Sequence, residues 1–158
     1  MLCNQNLFVK IVYSKGMIES ELDLAVKQPA IRLWRRLVYT TQGKVREVEA
    51  ALAPLGLTMT EFDLLAVLRR FDGATQQEVA QRLLFTEANM SYHAKRLVAR
   101  GLIERQTAGK RKLLRLTDTG QHLVEQALPK VLEIHELQFS DLNDEELMTL
   151  RNLLRRLK

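Results

Sequence analysis

Closely spaced helix-boundary signals between residues 75 and 101 constrain the fold of this chain more than any other feature. Thr75 and Glu78 have the spacing of a capping box, in which each side chain binds the backbone N–H of the other residue. Thr86 can cap a second helix, and Gly101 suits the left-handed position that ends it. A first helix of about three turns, joined to a second one by so short a junction, predicts a helix-turn-helix.

A β-hairpin is predicted directly after the second helix. Residues 102–106 and 112–116 read as strands, and they flank a turn at residues 107–111 that contains Gly109. A hairpin in this position is a wing. The fold class expected is therefore mainly α with a small β-hairpin wing, that is, a winged helix-turn-helix with a helical dimerisation region.

Long amphipathic helices are predicted on both sides of this lobe. Pro29 suits the first turn of a helix in which apolar residues recur at steps of three and four from Trp34 to Leu55. After the hairpin, Thr117 can cap a long helix and Asn143 a last one. The last helix carries more leucines than it needs to pack on its own monomer, which favours a dimer; the alternative is that both apolar stripes are intramolecular core. The candidate dimer-interface residues are Leu147, Leu150, Leu153, Leu154 and Leu157.

These elements predict the domain organisation. Residues 1–28 are expected to be an N-terminal extension, and residues 29–158 one domain. Within that domain, residues 57–116 are expected to form the winged helix-turn-helix lobe, and residues 29–55 and 117–158 the dimerisation helices.

Charge is distributed unevenly along the chain. The net charge of the 158 residues is +5, but residues 75–116 alone hold nine basic and three acidic side chains, a net +6. The rest of the chain holds 15 basic and 16 acidic side chains. A short segment that carries all the excess positive charge is the electrostatic footprint of a surface that binds a polyanion.

The second helix of the helix-turn-helix has two chemically different sides. Met90, Ala94, Leu97 and Val98 are expected in the core, and Asn89, Tyr92, His93 and Arg96 on the exposed side. Asparagine and arginine can read adenine and guanine in the major groove, and tyrosine, serine and histidine can reach phosphates or base edges. The alternative is a solvated polar face. The candidate DNA contacts of the helix-turn-helix are Thr75, Gln76, Thr86, Asn89, Ser91, Tyr92, His93 and Arg96.

Three consecutive cations, Lys110, Arg111 and Lys112, lie at the predicted hairpin tip. From a narrow ribbon they can enter a minor groove or bind its phosphates. Charged residues also protect exposed strand edges from aggregation, but the absence of an acidic neighbour favours the phosphate role.

Four segments in this order and spacing resemble the MarR (multiple antibiotic resistance regulator) family of bacterial transcription regulators. They are residues 57–65 (LTMTEFDLL), 77–83 (QEVAQRL), 95–105 (KRLVARGLIER) and 116–120 (LTDTG). The resemblance implies a homodimer whose first and last two helices build the dimer interface. It also implies recognition helices that enter successive major grooves of a pseudo-palindromic operator, and a repressor that a small-molecule effector releases.

The chain departs from the family pattern at two places. The family's longer wing usually has an Asp-x-Arg, in which the aspartate braces the arginine; Arg111 matches that arginine, but Gly109 stands where the aspartate would be. Leu84 replaces the glycine often found between the two helices, so we expect another backbone conformation to close that turn.

The resemblance places an effector pocket between the dimer helices and the DNA-binding lobe. Trp34, Tyr39 and Phe62 are candidates to line it for a small aromatic or anionic effector, with Arg32, Arg35 or Arg36 as the cation. Ordinary core packing is the alternative for these aromatic side chains.

Several other functions are not expected. The single cysteine, Cys3, excludes an intramolecular disulfide, and the three histidines are too dispersed for a metal site. We expect no catalytic site and no cofactor, because the sequence has no phosphate-cradling glycine loop and no catalytic triad. No stretch approaches the about 18 apolar residues of a membrane span, so a cytoplasmic protein without a membrane partner is expected. A dimeric helical adaptor that binds protein remains the alternative function, but it leaves the basic segment unexplained.

Overall fold

The structure is a computed structural model that describes residues 27–109 and 111–157, without the side chains of Ala108 and Lys112. Most of the predicted extension at residues 1–28, together with Cys3 and Lys110, lies outside the described residues. The chain divides into a unit that ends at Gly43 and a second unit that begins at Lys44. The division into a DNA-binding lobe and dimerisation helices stays a prediction.

Helix α1 spans Pro29–Leu52, and a 3₁₀ turn, Ala53–Leu55, extends it. Gly56 ends this turn in the left-handed conformation, with φ of 65°. The predicted long helix over residues 29–55 is thus confirmed, with the proline in its first turn, where the missing N–H costs nothing.

Helix α2 spans Met59–Arg70. Two threonines stand at its start, and Thr58 caps it rather than Thr60. The reason is Glu61, which lies three residues after Thr58 and completes a capping box. The Glu61 N–H donates to Thr58 Oγ1 at 3.2 Å, and the Thr58 N–H donates to Glu61 Oε2 at 3.1 Å.

The helix-turn-helix consists of α3, Gln76–Arg82, and α4, Glu87–Ala99. Their predicted caps, Thr75 and Thr86, are confirmed. Helix α3 has only 7 residues, so it is shorter than the three turns that the apolar pattern suggested.

Leu84 adopts a left-handed conformation between α3 and α4, with φ of 54°. The expectation that another conformation would close this turn is wrong, because the leucine takes the backbone conformation that glycine favours. Its side chain is 92% exposed and gains little from packing. Left-handed backbone costs a residue with a Cβ roughly 1–2 kcal/mol, so the turn is strained.

Leu84→Gly is therefore expected to raise the free energy of unfolding by up to about 1 kcal/mol, since the relief of strain exceeds glycine's extra entropy in the unfolded chain. Urea unfolding followed by circular dichroism measures it. Leu84→Ala is the control, because it removes the exposed side chain but keeps the Cβ and the strain. If Leu84→Ala stabilises the protein as much as Leu84→Gly does, relief of backbone strain is not the cause of the gain in stability.

Strands β2, Ile103–Ala108, and β3, Arg111–Leu116, form the predicted hairpin. The strands are longer and the turn shorter than expected, because Ala108 already pairs with Arg111. A short strand β1, Ala74–Thr75, pairs with β3 and completes a three-stranded antiparallel sheet in the order β1-β3-β2. The sequence gives no sign of β1, because two residues are too few to show an alternation pattern.

Helices α5, Asp118–Phe139, and α6, Asp144–Arg155, complete the chain. Thr117 and Asn143 cap them as predicted. Thr117 also ties the start of α5 to the end of α4, because its hydroxyl donates to the Gly101 carbonyl at 2.6 Å and its N–H donates to the Leu102 carbonyl at 3.2 Å.

The core of the second unit lies where the helix-turn-helix, the sheet and α5 meet. Its largest fully buried apolar side chains are Val48, Leu52, Leu64, Leu65, Leu68, Val79, Met90, Leu97, Ile103, Leu114 and Val124. Helix α6 contributes no buried residue. No single helix in the described ranges is long and apolar enough to cross a membrane. Residues 29–55 and Met59–Arg70 reach the necessary length and apolar composition only when the two helices are counted together, and the pair is bent.

Candidate nucleic-acid interface

Helix α4 packs on the core with one side and leaves the other side open. Met90, Ala94 and Leu97 are buried, as predicted. Val98 was also expected in the core but is 37% exposed, because it lies at the margin of the buried stripe. The exposed residues on the helix and at its cap include Thr86, Ser91, Tyr92, Lys95 and Arg96.

Asn89 and Tyr92 lie one turn apart on α4. The Asn89 backbone N–H is bound by Thr86 Oγ1 at 3.2 Å, which leaves the amide side chain, half-buried, outside the capping interaction. Tyr92 is 57% exposed. Both side chains offer polar atoms at the surface of the helix, as a base-reading role requires.

His93 is not on the exposed side where the helical pattern placed it. It is half-buried, and its ring lies 5.9 Å from the Phe85 ring and 5.1 Å from the Tyr92 ring. Burial lowers the pKa of His93 most; the Glu61 charge opposes this shift, and the Arg96 charge adds to it. His93 is therefore an uncharged packing residue at pH 7, with its Nδ1 unpaired among the described residues.

Arg96 takes part in an ion-pair cluster that no local sequence pattern indicates. Its Nη2 lies 3.3 Å from Glu61 Oε1, and its Nη1 lies 3.4 Å from the Tyr92 hydroxyl. Arg100 Nη1 donates to Glu61 Oε2 at 3.2 Å. Glu61 itself is only 1% exposed, and it is the one buried charged residue in the described ranges. The Tyr92 hydroxyl first, and then Glu61, raise the pKa of Arg96 further.

The hairpin presents Arg111 as an exposed residue at the start of β3. The other two cations predicted to contact DNA at the hairpin tip are Lys110 and Lys112. Lys110 and the side chain of Lys112 lie outside the described part of the chain. An acidic group nevertheless lies near Arg111. Hydrogen bonds from the Thr75 backbone and hydroxyl lower the pKa of Glu78 most, and the charges of Arg111 and Arg82 lower it further.

A groove of about 300 Å³ runs between α3, α4 and the sheet. Gln76, Ser91 and Arg105 are among its lining residues. Arg105 is not among the DNA contacts predicted from the sequence, although its position in the basic segment could have indicated that role. The Thr75 hydroxyl is less available for DNA contacts than expected, because it donates to Glu78 Oε2 at 2.9 Å and accepts from the Glu78 N–H.

The candidate effector residues fall in different environments. Phe62 lies in the core at 5% exposure, whereas Trp34 and Tyr39 on α1 are 63% and 66% exposed. Within the first unit, Tyr39 shares a depression of about 420 Å³ with the basic side chains Lys27, Arg32, Arg35 and Arg36. The pocket at Trp34, Tyr39 and Phe62 stays a prediction.

The leucines of α6, together with Leu157 just after the helix, form an apolar surface. Leu150, Leu153, Leu154 and Leu157 are 37%, 52%, 44% and 59% exposed, and Leu147 is half-buried. Together with Phe139, several of them line a groove of about 520 Å³. So much exposed apolar surface on one helix is typical of a protein interface. Across the described ranges, no group of three potential metal ligands comes together.

Comparisons with a family profile and with known protein sequences both identify transcriptional regulators. The profile of the MarR family matches residues 55–112. An uncharacterized HTH-type transcriptional regulator of Bacillus cereus is 32% identical over 123 residues, which cover 77% of this chain and 84% of the relative.

Two solved structures have folds similar to that of this chain. A cysteine-to-serine mutant of MarR from E. coli, complexed with operator DNA, matches with a TM-score of 0.76 and 27% identity over 81% of this chain and 94% of that one. BpsR of Bordetella bronchiseptica, whose DNA binding is regulated by 6-hydroxynicotinic acid, matches with a TM-score of 0.73 and 25% identity over 80% and 98%.

Proposed function

The chain belongs to the MarR family of DNA-binding transcriptional regulators, and we propose that it binds a specific operator through α4 and the β2–β3 hairpin. One observation carries this proposal: the polar side of α4 and the basic hairpin belong to the segment that holds the entire excess of positive charge. A helix reads base edges in the major groove, while flanking cations bind phosphates and fix its register.

The side chains divide into two groups by their chemistry. Asn89, Ser91 and Tyr92 are positioned to read bases, because they offer neutral donors and acceptors on α4. Arg105 and Arg111 are exposed cations that can bind phosphates, and Lys110 and Lys112 are assigned the same role from their charge alone. Thr75, Gln76 and Thr86 are neutral residues that would support these phosphate contacts. We assign His93 to packing, because it is half-buried and uncharged.

A second copy of the chain is the proposed partner of α6. Its leucines are exposed along one helix, and a homodimer would bury them against the same surface of the other copy. Dimerisation also presents two α4 helices to one face of the DNA, which matches a two-fold operator.

We further infer that this regulator is a cytoplasmic repressor without enzymatic activity, released by a small effector. BpsR responds to an aromatic acid. The basic depression beside Tyr39, near Trp34 in sequence, has the chemistry to bind such a carboxylate, because arginine pairs with carboxylates bidentately.

Selection of bound duplexes from random DNA tests the proposal. We expect inverted repeats whose half-site centres lie about 10 base pairs apart, because a two-fold dimer places its recognition helices one helical turn apart. Recovery of single half-sites would contradict the dimer. Recovery of no enriched sequence would contradict the operator itself and favour an adaptor that binds protein.

A further inference from the structure

Glu61 occupies an unusual position beneath the recognition helix. It belongs to α2 and is 1% exposed, yet it meets two arginines, Arg96 of α4 and Arg100, the residue that caps the end of α4. A buried carboxylate is costly unless charges and hydrogen bonds compensate for it. The two arginines, together with the Thr58 N–H, provide that compensation.

The two arginines hold Glu61 in different ways. Arg100 and the Thr58 N–H both donate hydrogen bonds to Oε2, at 3.2 Å and 3.1 Å. Oε1 lies 3.3 Å from Arg96 Nη2, but it has no well-aligned hydrogen bond with the described residues. Arg100 is therefore a structural partner, whereas Arg96 is held mainly by charge.

Arg96 is also the more accessible of the two cations. Its side chain is 46% exposed, against 33% for Arg100. The guanidinium lies 5.7 Å from the centre of the Tyr92 ring, and Tyr92 is an exposed residue of the same helix. Release from Glu61 would leave a free cation on the surface proposed to face DNA.

We propose that Glu61 is a positioning residue that restrains sequence-independent DNA binding by holding Arg96 away from the phosphates. This inference rests on the proposed function. A free arginine on the DNA-facing helix would bind the phosphates of any duplex, because phosphate contacts carry no sequence information. By pairing with Arg96, Glu61 lowers the number of cations that any duplex can engage.

Glu61→Gln is the direct test. Glutamine retains an oxygen for the Thr58 N–H and so keeps the capping box, but it removes the charge that holds Arg96. Affinity for a shuffled duplex is expected to rise at least about threefold, and the salt dependence to steepen by about 1 to 2 units for the dimer, since up to two more phosphates are neutralised. Fluorescence titration of a labelled shuffled duplex at two salt concentrations measures both quantities.

Two control experiments distinguish the release of Arg96 from a general effect of removing one negative charge. Glu125→Gln removes the same charge from α5, where Glu125 pairs with Arg69 at 3.4 Å, and is expected to leave the salt dependence unchanged. In an Arg96→Gln background, Glu61→Gln is expected to have no further effect on the shuffled duplex. Equal effects of E61Q and E125Q, or an effect of E61Q that persists without Arg96, would overturn the proposal.

Arg96→Gln alone provides a test that does not depend on the folding of E61Q. Because Arg96 is already withheld from DNA, its removal should leave the affinity and salt dependence for the shuffled duplex unchanged. A slope shallower by about 0.9 units per subunit would mean that Arg96 already binds a phosphate, and would overturn the inference. If the wild-type protein does not distinguish the selected duplex from the shuffled one, the proposed function fails instead.

Discussion

Gly120→Ala is expected to lower the free energy of unfolding by at least about 3 kcal/mol, the upper range for overpacking. Gly120 lies in the first turn of α5 and is buried. A Cβ at this position would overlap the backbone carbonyl of Leu102 and lie 3.3 Å from Leu116 Cδ2. The carbonyl cannot move freely, because it accepts the Thr117 N–H that joins α5 to the end of α4.

Gly43→Ala is the matched control for this prediction. Gly43 lies within α1, where a Cβ would have no heavy atom within 4 Å. The same substitution should therefore raise stability by about 0.5–1 kcal/mol, the usual gain in helix propensity. Urea unfolding of both variants decides the matter: if Gly120→Ala is as stable as the wild type, the close contact between α5 and Leu102 is not a real constraint.

The elements that could be predicted from the sequence depend on local interactions. Thr75, Thr86, Thr117 and Asn143 each cap the helix that follows, because the cap and its partner lie within three residues of each other. Apolar periodicity placed Met90 and Leu97 in the core for the same reason. Helix order and the basic hairpin therefore followed from short-range patterns alone.

The features that could not be predicted depend on contacts between distant segments. Glu61 and Arg100 are 39 residues apart, and no local pattern indicates that they meet. His93 fits the exposed side of a helical wheel, but the Phe85 ring covers it in the folded chain. Strand β1 exists only because β3 pairs with it. These tertiary contacts changed the interpretation of the candidate site more than that of the fold.

Asn89→Ala and Arg111→Ala are expected to affect DNA binding in different ways. Removal of the Asn89 amide should lower affinity for the selected duplex about 5- to 150-fold, the 1–3 kcal/mol of a good base contact, and should change affinity for shuffled DNA little. Removal of the exposed Arg111 charge should weaken both duplexes alike. It should also make the salt dependence shallower by about 0.9 units per subunit. Lys130→Ala, which removes an exposed cation on α5, is the control and should change neither quantity.

DNA recognition by α4 and the hairpin is tested by a pair of titrations, with the selected and the shuffled duplex, at two salt concentrations for the wild type and these three variants. We expect Asn89→Ala to reduce the ratio of the two affinities, and Arg111→Ala to keep that ratio but reduce the salt slope. If Asn89→Ala lowers both affinities equally, α4 does not read bases through this side chain. If Arg111→Ala in addition leaves the salt slope unchanged, the assignment of DNA recognition to α4 and the hairpin is contradicted.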